Sequence, residues 1–233
     1  MSKHKNIKLL FSRITLRFDL RCLNFSFFIP TFFVVGVLLL FIALKMFGTF
    51  EYRYLCNSIE IVLPLGGAWY SIFITRTILE YGDCELYFSY DISRIYLGLL
   101  RVFRGYALYI IQITIMLITV YFIYLVPLEN MLGLALLTFI QTLFFSGLGF
   151  LITVVSKDSF IGLVGCSAYA IFYLFTKGEY INDFCLYQFW EYPISIREYP
   201  LGLIFRDLIY VSVLFFLGQW VFNHTKATEN RQD

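Results

Sequence analysis

Six apolar stretches, separated by polar connections of very unequal length, set the pattern of this chain. A helix needs about 20 apolar residues to cross the hydrocarbon core of a bilayer, and a helix satisfies its own backbone there. The runs 27–47, 59–75, 106–126, 131–155, 160–175 and 203–222 predict an all-α polytopic membrane protein with six transmembrane helices. Pro30 stands near the start of the first run, and Lys45 is close enough to its end for the ammonium to snorkel to the interface. Pro64 and the Gly66-Gly67 pair predict a kink in the second run. Only Pro127 to Asn130 separates the third from the fourth, so these two form an antiparallel hairpin. An equally short turn of Ser156, Lys157 and Asp158 precedes the fifth.

Three polar stretches break this rhythm. Residues 1–25 carry Lys3, Lys5, Lys8, Arg13, Arg17 and Arg21 against Asp19, with Ile7, Leu10, Phe11, Ile14 and Phe18 at spacings of three and four. One apolar face opposite a basic one predicts an amphipathic helix lying flat at the cytoplasmic headgroups. Residues 177–202 are too polar to span and rich in aromatics, among them Tyr180, Phe184, Tyr187, Phe189, Trp190, Tyr192 and Tyr199, which suits an extracytoplasmic re-entrant or surface-lying segment. The longest charged interruption is 76–104, with Glu80, Asp83, Glu85 and Asp91 against Arg76, Arg94, Arg101 and Arg104 and apolar residues threaded between at helical spacing. Such a segment lies on a membrane surface or against a partner. The body of the protein is thus a transmembrane domain over 26–223, closed by a polar tail over 224–233.

Composition fixes the solvent. The chain has 233 residues, 60% hydrophobic and 21% aromatic, and its 15% charged residues fall well below the roughly 25% of soluble domains. The first apolar run is long enough to span and is followed by no small-residue cleavage site, so it is expected to be a membrane helix and not a secretory signal. With both termini placed in the cytoplasm, the cytoplasmic segments collect 13 of the 18 Lys and Arg while the 16 acids divide evenly. That bias is what the positive-inside rule reads, and it makes 76–104 the longest cytoplasmic loop. The five cysteines, Cys22, Cys56, Cys84, Cys166 and Cys185, have no metal-ligand spacing and read as scattered thiols.

The spans hold few ionisable groups: Glu60 near the outer end of the second, and Arg206 and Asp207 near the outer end of the sixth. His4 and His224 lie in the tails. Ion-coupled carriers bury carboxylates or histidines mid-membrane, so an energy source outside the bilayer fits this chain better. There is no HExxH, no Ser/His or Asp/Asp arrangement at bilayer depth and no GxxxxGK[ST]. Gly162, Cys166 and Ala170 allow close helix approach in the fifth span, and Gln112 and Gln141 are placed to hydrogen-bond across the hairpin of spans three and four. An alternative reading is a membrane enzyme or scaffold subunit using 177–202, with Glu179, Asp183, Glu191 and Glu198 as its carboxylates.

The run 79–94, LEYGDCELYFSYDISR, resembles the loop after the second span of type-2 ABC transporter permeases, where an E-x-G-x-x-E-x-L-x-x-S-P-x-S-R pattern is common. Glu80, Gly82, Glu85, Ser93 and Arg94 fall on that pattern, and Leu86 and Ser89 stand one position before its leucine and its first serine; Asp83 stands where a small residue or threonine is usual, and the proline expected near Tyr90 and Asp91 is missing. The layout is similar as well: an amphipathic start, six spans, a long first cytoplasmic loop and a polar outer segment before the last span. The resemblance implies a transmembrane permease subunit of an ATP-driven ABC exporter in the cell membrane, as in a bacterial inner membrane. It implies a dimer with an identical or related permease, surrounded by membrane lipid, and docking of two copies of a separate ATPase subunit. ATP and Mg then sit on the ATPase, and this chain is a transport subunit, not an enzyme, with no cofactor and no nucleic acid of its own. Residues 76–104 become a coupling helix, with Glu80, Glu85 and Arg94 in polar contact with the ATPase and Gly82 permitting a tight turn. The pathway would run along the dimer axis between spans two and five, with Trp69, Tyr70, Phe73, Cys166 and Tyr169 as candidate lining. Its aromatic, weakly charged character suits export of an amphiphilic, peptide-like or lipid-linked substrate by alternating access.

Overall fold

Each predicted apolar run is helical in the computed structural model, which describes residues 24–48, 52–79, 94–176 and 201–224. A 3-10 turn, Asn24–Phe27, leads into α1 (Phe28–Met46). It is followed by α2 (Tyr52–Leu79), the single turn α3 (Arg94–Leu97), α4 (Leu99–Tyr124), α5 (Leu128–Ser156), α6 (Ser159–Thr176) and α7 (Leu201–His224). Among the described residues there is no strand. Five helices are long and apolar enough to cross a membrane: α1 with its leading turn, α2, α3–α4, α5 and α7. In α6 the apolar stretch Ser159–Phe172 is shorter than those five.

The helices run past the boundaries that apolar content alone sets. α2 begins at Tyr52 and continues unbroken through Pro64, because a proline removes a single backbone donor and the flanking residues pack on both sides of it. The polar segment differs most from expectation. Residues 76–79 are the last turn of α2, and 94–104 form α3 and the first turns of α4, where Arg101 and Arg104 are only 2% and 7% exposed. Their apolar neighbours explain this: Leu97, Leu99 and Val102 pack on a core shared with α2, α5, α6 and α7. What remains of the predicted coupling loop, 80–93, lies outside the described residues, as do the body of the predicted N-terminal helix, most of the 177–202 segment and the tail after His224.

The hairpins are closed by local backbone chemistry. Leu125 adopts a left-handed conformation (φ 52°) and its N–H bonds the Tyr121 carbonyl, which ends α4 two residues before Pro127 opens α5. Lys157 (φ 58°) ends α5 in the same manner, and Asp158 Oδ1 then accepts the Phe160 N–H at 2.7 Å to cap α6. Successive long helices therefore alternate in direction. The bundle has one end that carries Arg94 and the α5–α6 turn, and an opposite end that carries Pro127.

α5 is the centre of the bundle. It buries residues on every side and packs against α2, α4, α6 and α7, with α2 as its most extensive partner. Close approach is made possible by glycine: a Cβ on Gly67 would stand 2.6 Å from Thr142 of α5, and one on Gly149 would stand 2.8 Å from Ser71 Oγ of α2. Outward-facing positions are large and apolar, including Phe32 and Phe33 on α1, Ile115 and Phe122 on α4, and Phe216 on α7. Apolar side chains thus face outward as well as inward, as suits a bundle in hydrocarbon.

Candidate functional site

The end of the bundle that carries Arg94 is where the polar segment meets the helices. Arg94 opens α3, and its guanidinium donates to the Asn223 carbonyl at the last turn of α7. Gln219, one turn earlier on α7 and 8% exposed, uses both ends of its amide. Its Oε1 accepts the Leu99 N–H at 2.8 Å, one of the donors left without a partner at the start of a helix, and its Nε2 donates to Asn223 Oδ1 at 2.7 Å. Gly98 makes room for this, since a Cβ there would lie 2.6 Å from Gln219 Oε1. On the other flank, Arg76 stacks its guanidinium over Phe73 at 5.6 Å. Both flanks of the 80–93 segment are therefore fixed to the bundle, α2 on one side and α3–α4 clasped by α7 on the other. Glu80, Gly82 and Glu85 fall within that segment, outside the described residues. Gln219 and Asn223 escaped the sequence reading, because nothing in a run of polar residues near a C-terminus says which helix start they will meet.

The candidate pathway residues divide into two places. Trp69 and Phe73 stack at 4.6 Å on a half-buried face of α2, and the indole N–H donates to the Ser26 carbonyl at 3.1 Å. Pro30 explains that bond, because it has no N–H to offer this carbonyl from the next turn of α1. Tyr70 is fully buried; its hydroxyl donates to the Phe27 carbonyl at 2.8 Å and accepts from Gln112 Nε2 at 3.1 Å. Thr31 Oγ1 donates to Gln112 Oε1 at 3.1 Å, completing a polar chain through α1, α2 and α4. Cys166 and Tyr169 lie on α6 against α5, where Tyr169 packs between Phe144 and Phe145 and Cys166 is a free thiol 1% exposed. The stripe Gly162, Cys166 and Ala170 faces the same way; a Cβ on Gly162 would stand 2.4 Å from Thr153 Oγ1. The structure thus brings Trp69, Tyr70 and Phe73 together on α2, and places Cys166 and Tyr169 in a core on α6 that Phe73 also borders.

The two glutamines do not meet across the hairpin. Gln112 turns to α1 and α2, and Gln141 Nε2 donates to Glu60 Oε1 of α2 at 2.6 Å. Glu60 is 1% exposed and faces a residue near the middle of α5, deeper than its place in the sequence suggests. A carboxylate buried inside a membrane bundle is worth attention as a functional element. At the start of α7, Asp207 is also buried, at 1%, and Arg206 binds its Oδ1 through two nitrogens at 2.9 Å. Among the described residues no three His, Cys, Asp or Glu side chains gather where a metal ion could sit.

The chain matches no protein-family profile, no curated protein and no solved structure. The arrangement of the helices and of the polar segment at the Arg94 end is what a functional reading has to stand on.

Proposed function

We propose that this chain is the transmembrane permease subunit of an ATP-driven ABC exporter. In this reading it pairs with a second permease chain and docks a separate ATPase through residues 80–93, so that ATP binding and hydrolysis outside the bilayer drive alternating access inside it. The observation that carries the reading is mechanical. The segment leaves α2 at Leu79 and re-enters the bundle at Arg94, so a partner gripping it pulls directly on α2, the helix packed most extensively on the central α5. Arg76 and Arg94 flank the segment on either side, and basic residues at this end favour the cytoplasmic side. The sixth crossing is α6, whose 18 residues span about 27 Å at 1.5 Å per residue, close to the hydrocarbon thickness. Aromatic side chains such as Trp69 and Phe73 suit an amphiphilic, peptide-like or lipid-linked cargo.

The test is a pull-down from detergent with candidate ABC ATPase subunits from the same cell, comparing the native protein with Glu85→Arg and with a deletion of 80–94. Charge reversal at a docking contact costs several kcal/mol, so about a hundredfold or greater loss of ATPase binding is expected with insertion unchanged. Retention of the ATPase by both variants would remove the docking role.

A further inference from the structure

The outward surface between α4 and α5 is grooved. The groove is about 300 Å³, lined by α4 from Thr114 to Tyr121 and by α5 from Leu128 to Phe139, and the lining is almost wholly apolar. Thr114 does not change this, because its hydroxyl is returned to the Ile110 carbonyl at 2.8 Å. Thr114 and Phe139 each lie about 16 Å, at 1.5 Å per residue, from the turn that joins the two helices. Half the hydrocarbon core of a bilayer is about 15 Å. The groove therefore follows the helix axes from the turn at the membrane surface to the bilayer centre, which is the course of an acyl chain in that leaflet.

Its width narrows the choice of occupant. Spread over that length, the volume gives a cross-section of about 20 Å², room for one extended hydrocarbon chain, whereas a helix with its side chains is about 10–12 Å across. A helix from a second copy could enter only by its side chains. Association of helices in hydrocarbon is helped by small residues, but the rims here are Ile118, Leu128 and Leu132, all large and exposed. The end of the groove at the turn also carries charge. Lys45 is exposed there; its ammonium donates to the Ile123 carbonyl at the end of α4 and lies 5.1 Å from the centre of the Tyr124 ring. An ammonium has three donors, so it can serve a phosphate at the headgroup level as well. Glu129, exposed in the first turn of α5, adds one charge of opposite sign, which suits a zwitterionic headgroup.

We propose that the α4–α5 groove is a binding site for one zwitterionic phospholipid of the surrounding bilayer, with an acyl chain laid along the groove and the phosphate at Lys45. A chain held there makes dispersion contacts with both walls that a lipid on a convex face of the bundle cannot make. The site needs only that the bundle stands in a membrane, and it is independent of the docking reading.

Native mass spectrometry from a mild detergent, after equilibration with phosphatidylcholine, counts the lipid that stays bound. The native chain is expected to retain one phospholipid, and Ala135→Phe to lose it, because Ala135 is half-buried in the lining and a ring there fills the groove. Lys45→Gln removes one charge-assisted contact without touching the core and is expected to hold the lipid about tenfold less well. Ile209→Phe adds similar bulk at an exposed position on α7 and is expected to keep the lipid. In vesicles, a phosphatidylcholine with a photoactivatable diazirine midway along one acyl chain is expected to label the groove residues ahead of the other outward faces, and Ala135→Phe to abolish that preference. Native-like retention by Ala135→Phe, or even labelling of every outward face, would overturn the site. Unchanged retention by Lys45→Gln would overturn the phosphate contact, and tighter retention of phosphatidylglycerol the zwitterionic assignment. Leu132→Cys, in a chain with Cys22, Cys84 and Cys185 replaced by Ser, reports on the rival occupant. Efficient disulfide crosslinking of that variant to a second copy in vesicles would assign the groove to a protein contact instead.

Discussion

Gly66 decides how α2 and α4 meet. A methyl at this position would lie 2.2 Å from Tyr109 Oη and 2.4 Å from its Cζ. The ring cannot swing aside, because Tyr109 is fully buried and its hydroxyl donates to the Leu63 carbonyl at 2.8 Å. Overpacking of this kind costs about 1–3 kcal/mol, so Gly66→Ala is expected to unfold at lower temperature in detergent. Gly36 is the control: nothing lies within 4 Å of its Cβ position, and an exposed helix interior gains about 0.5–1 kcal/mol when glycine becomes alanine. Matching unfolding temperatures for the two alanine variants would sink the packing argument. The sequence displays both glycines inside apolar runs and says nothing to separate them, because what distinguishes Gly66 is a tyrosine from another helix. Glu60 teaches the same lesson. Its charge was legible in the chain, but its depth depends on lying opposite Gln141 near the middle of α5, and that is a property of register between helices.

Elements were the most legible scale, since a long apolar run in hydrocarbon has little choice but a helix. Their ends were not, because helices continue into polar residues wherever water or a neighbouring side chain can serve the last turns. The start of α1 illustrates the second route. Pro30 leaves the Ser26 carbonyl without a donor from the following turn, and Trp69 on α2 supplies one at 3.1 Å. Trp69→Phe keeps most of the ring, which is needed for stacking on Phe73 at 4.6 Å, and removes the donor. The expected loss is about 1 kcal/mol, the net worth of one such bond plus the carbonyl left behind. A readout specific to the element is protease sensitivity near Asn24. Faster cleavage in Trp69→Phe than in the native chain fits the bond as an anchor of the α1 start, and unchanged cleavage with unchanged stability would contradict it. The candidate pathway residues were identifiable as aromatic and small positions on α2 and α6, yet their meeting around one core, with Phe73 at its border, followed only from the packing of the helices.

Orientation is a property of the whole molecule, and it is the condition on which every proposed partner depends. The alternating helices put Leu125 at the Pro127 end, Lys157 at the Arg94 end, and Phe175 at the far end of α6 from Lys157. The basic residues favour the cytoplasm for the Arg94 end, where Arg76, Arg94, Arg101 and Arg104 gather. Cysteines placed singly at Leu125, Lys157 and Phe175, all exposed, can be challenged in intact cells with a maleimide that does not cross membranes. Leu125→Cys and Phe175→Cys are expected to label from outside, and Lys157→Cys only after the membrane is opened. Each departure has a distinct meaning. If Phe175→Cys behaves like Lys157→Cys, α6 turns back within the bilayer and the chain has five crossings, which puts the two termini on opposite sides. If Lys157→Cys alone labels from outside, the bundle is inverted, residues 80–93 face away from cytoplasmic ATP, and docking of an ATPase there is impossible however well the segment matches its pattern.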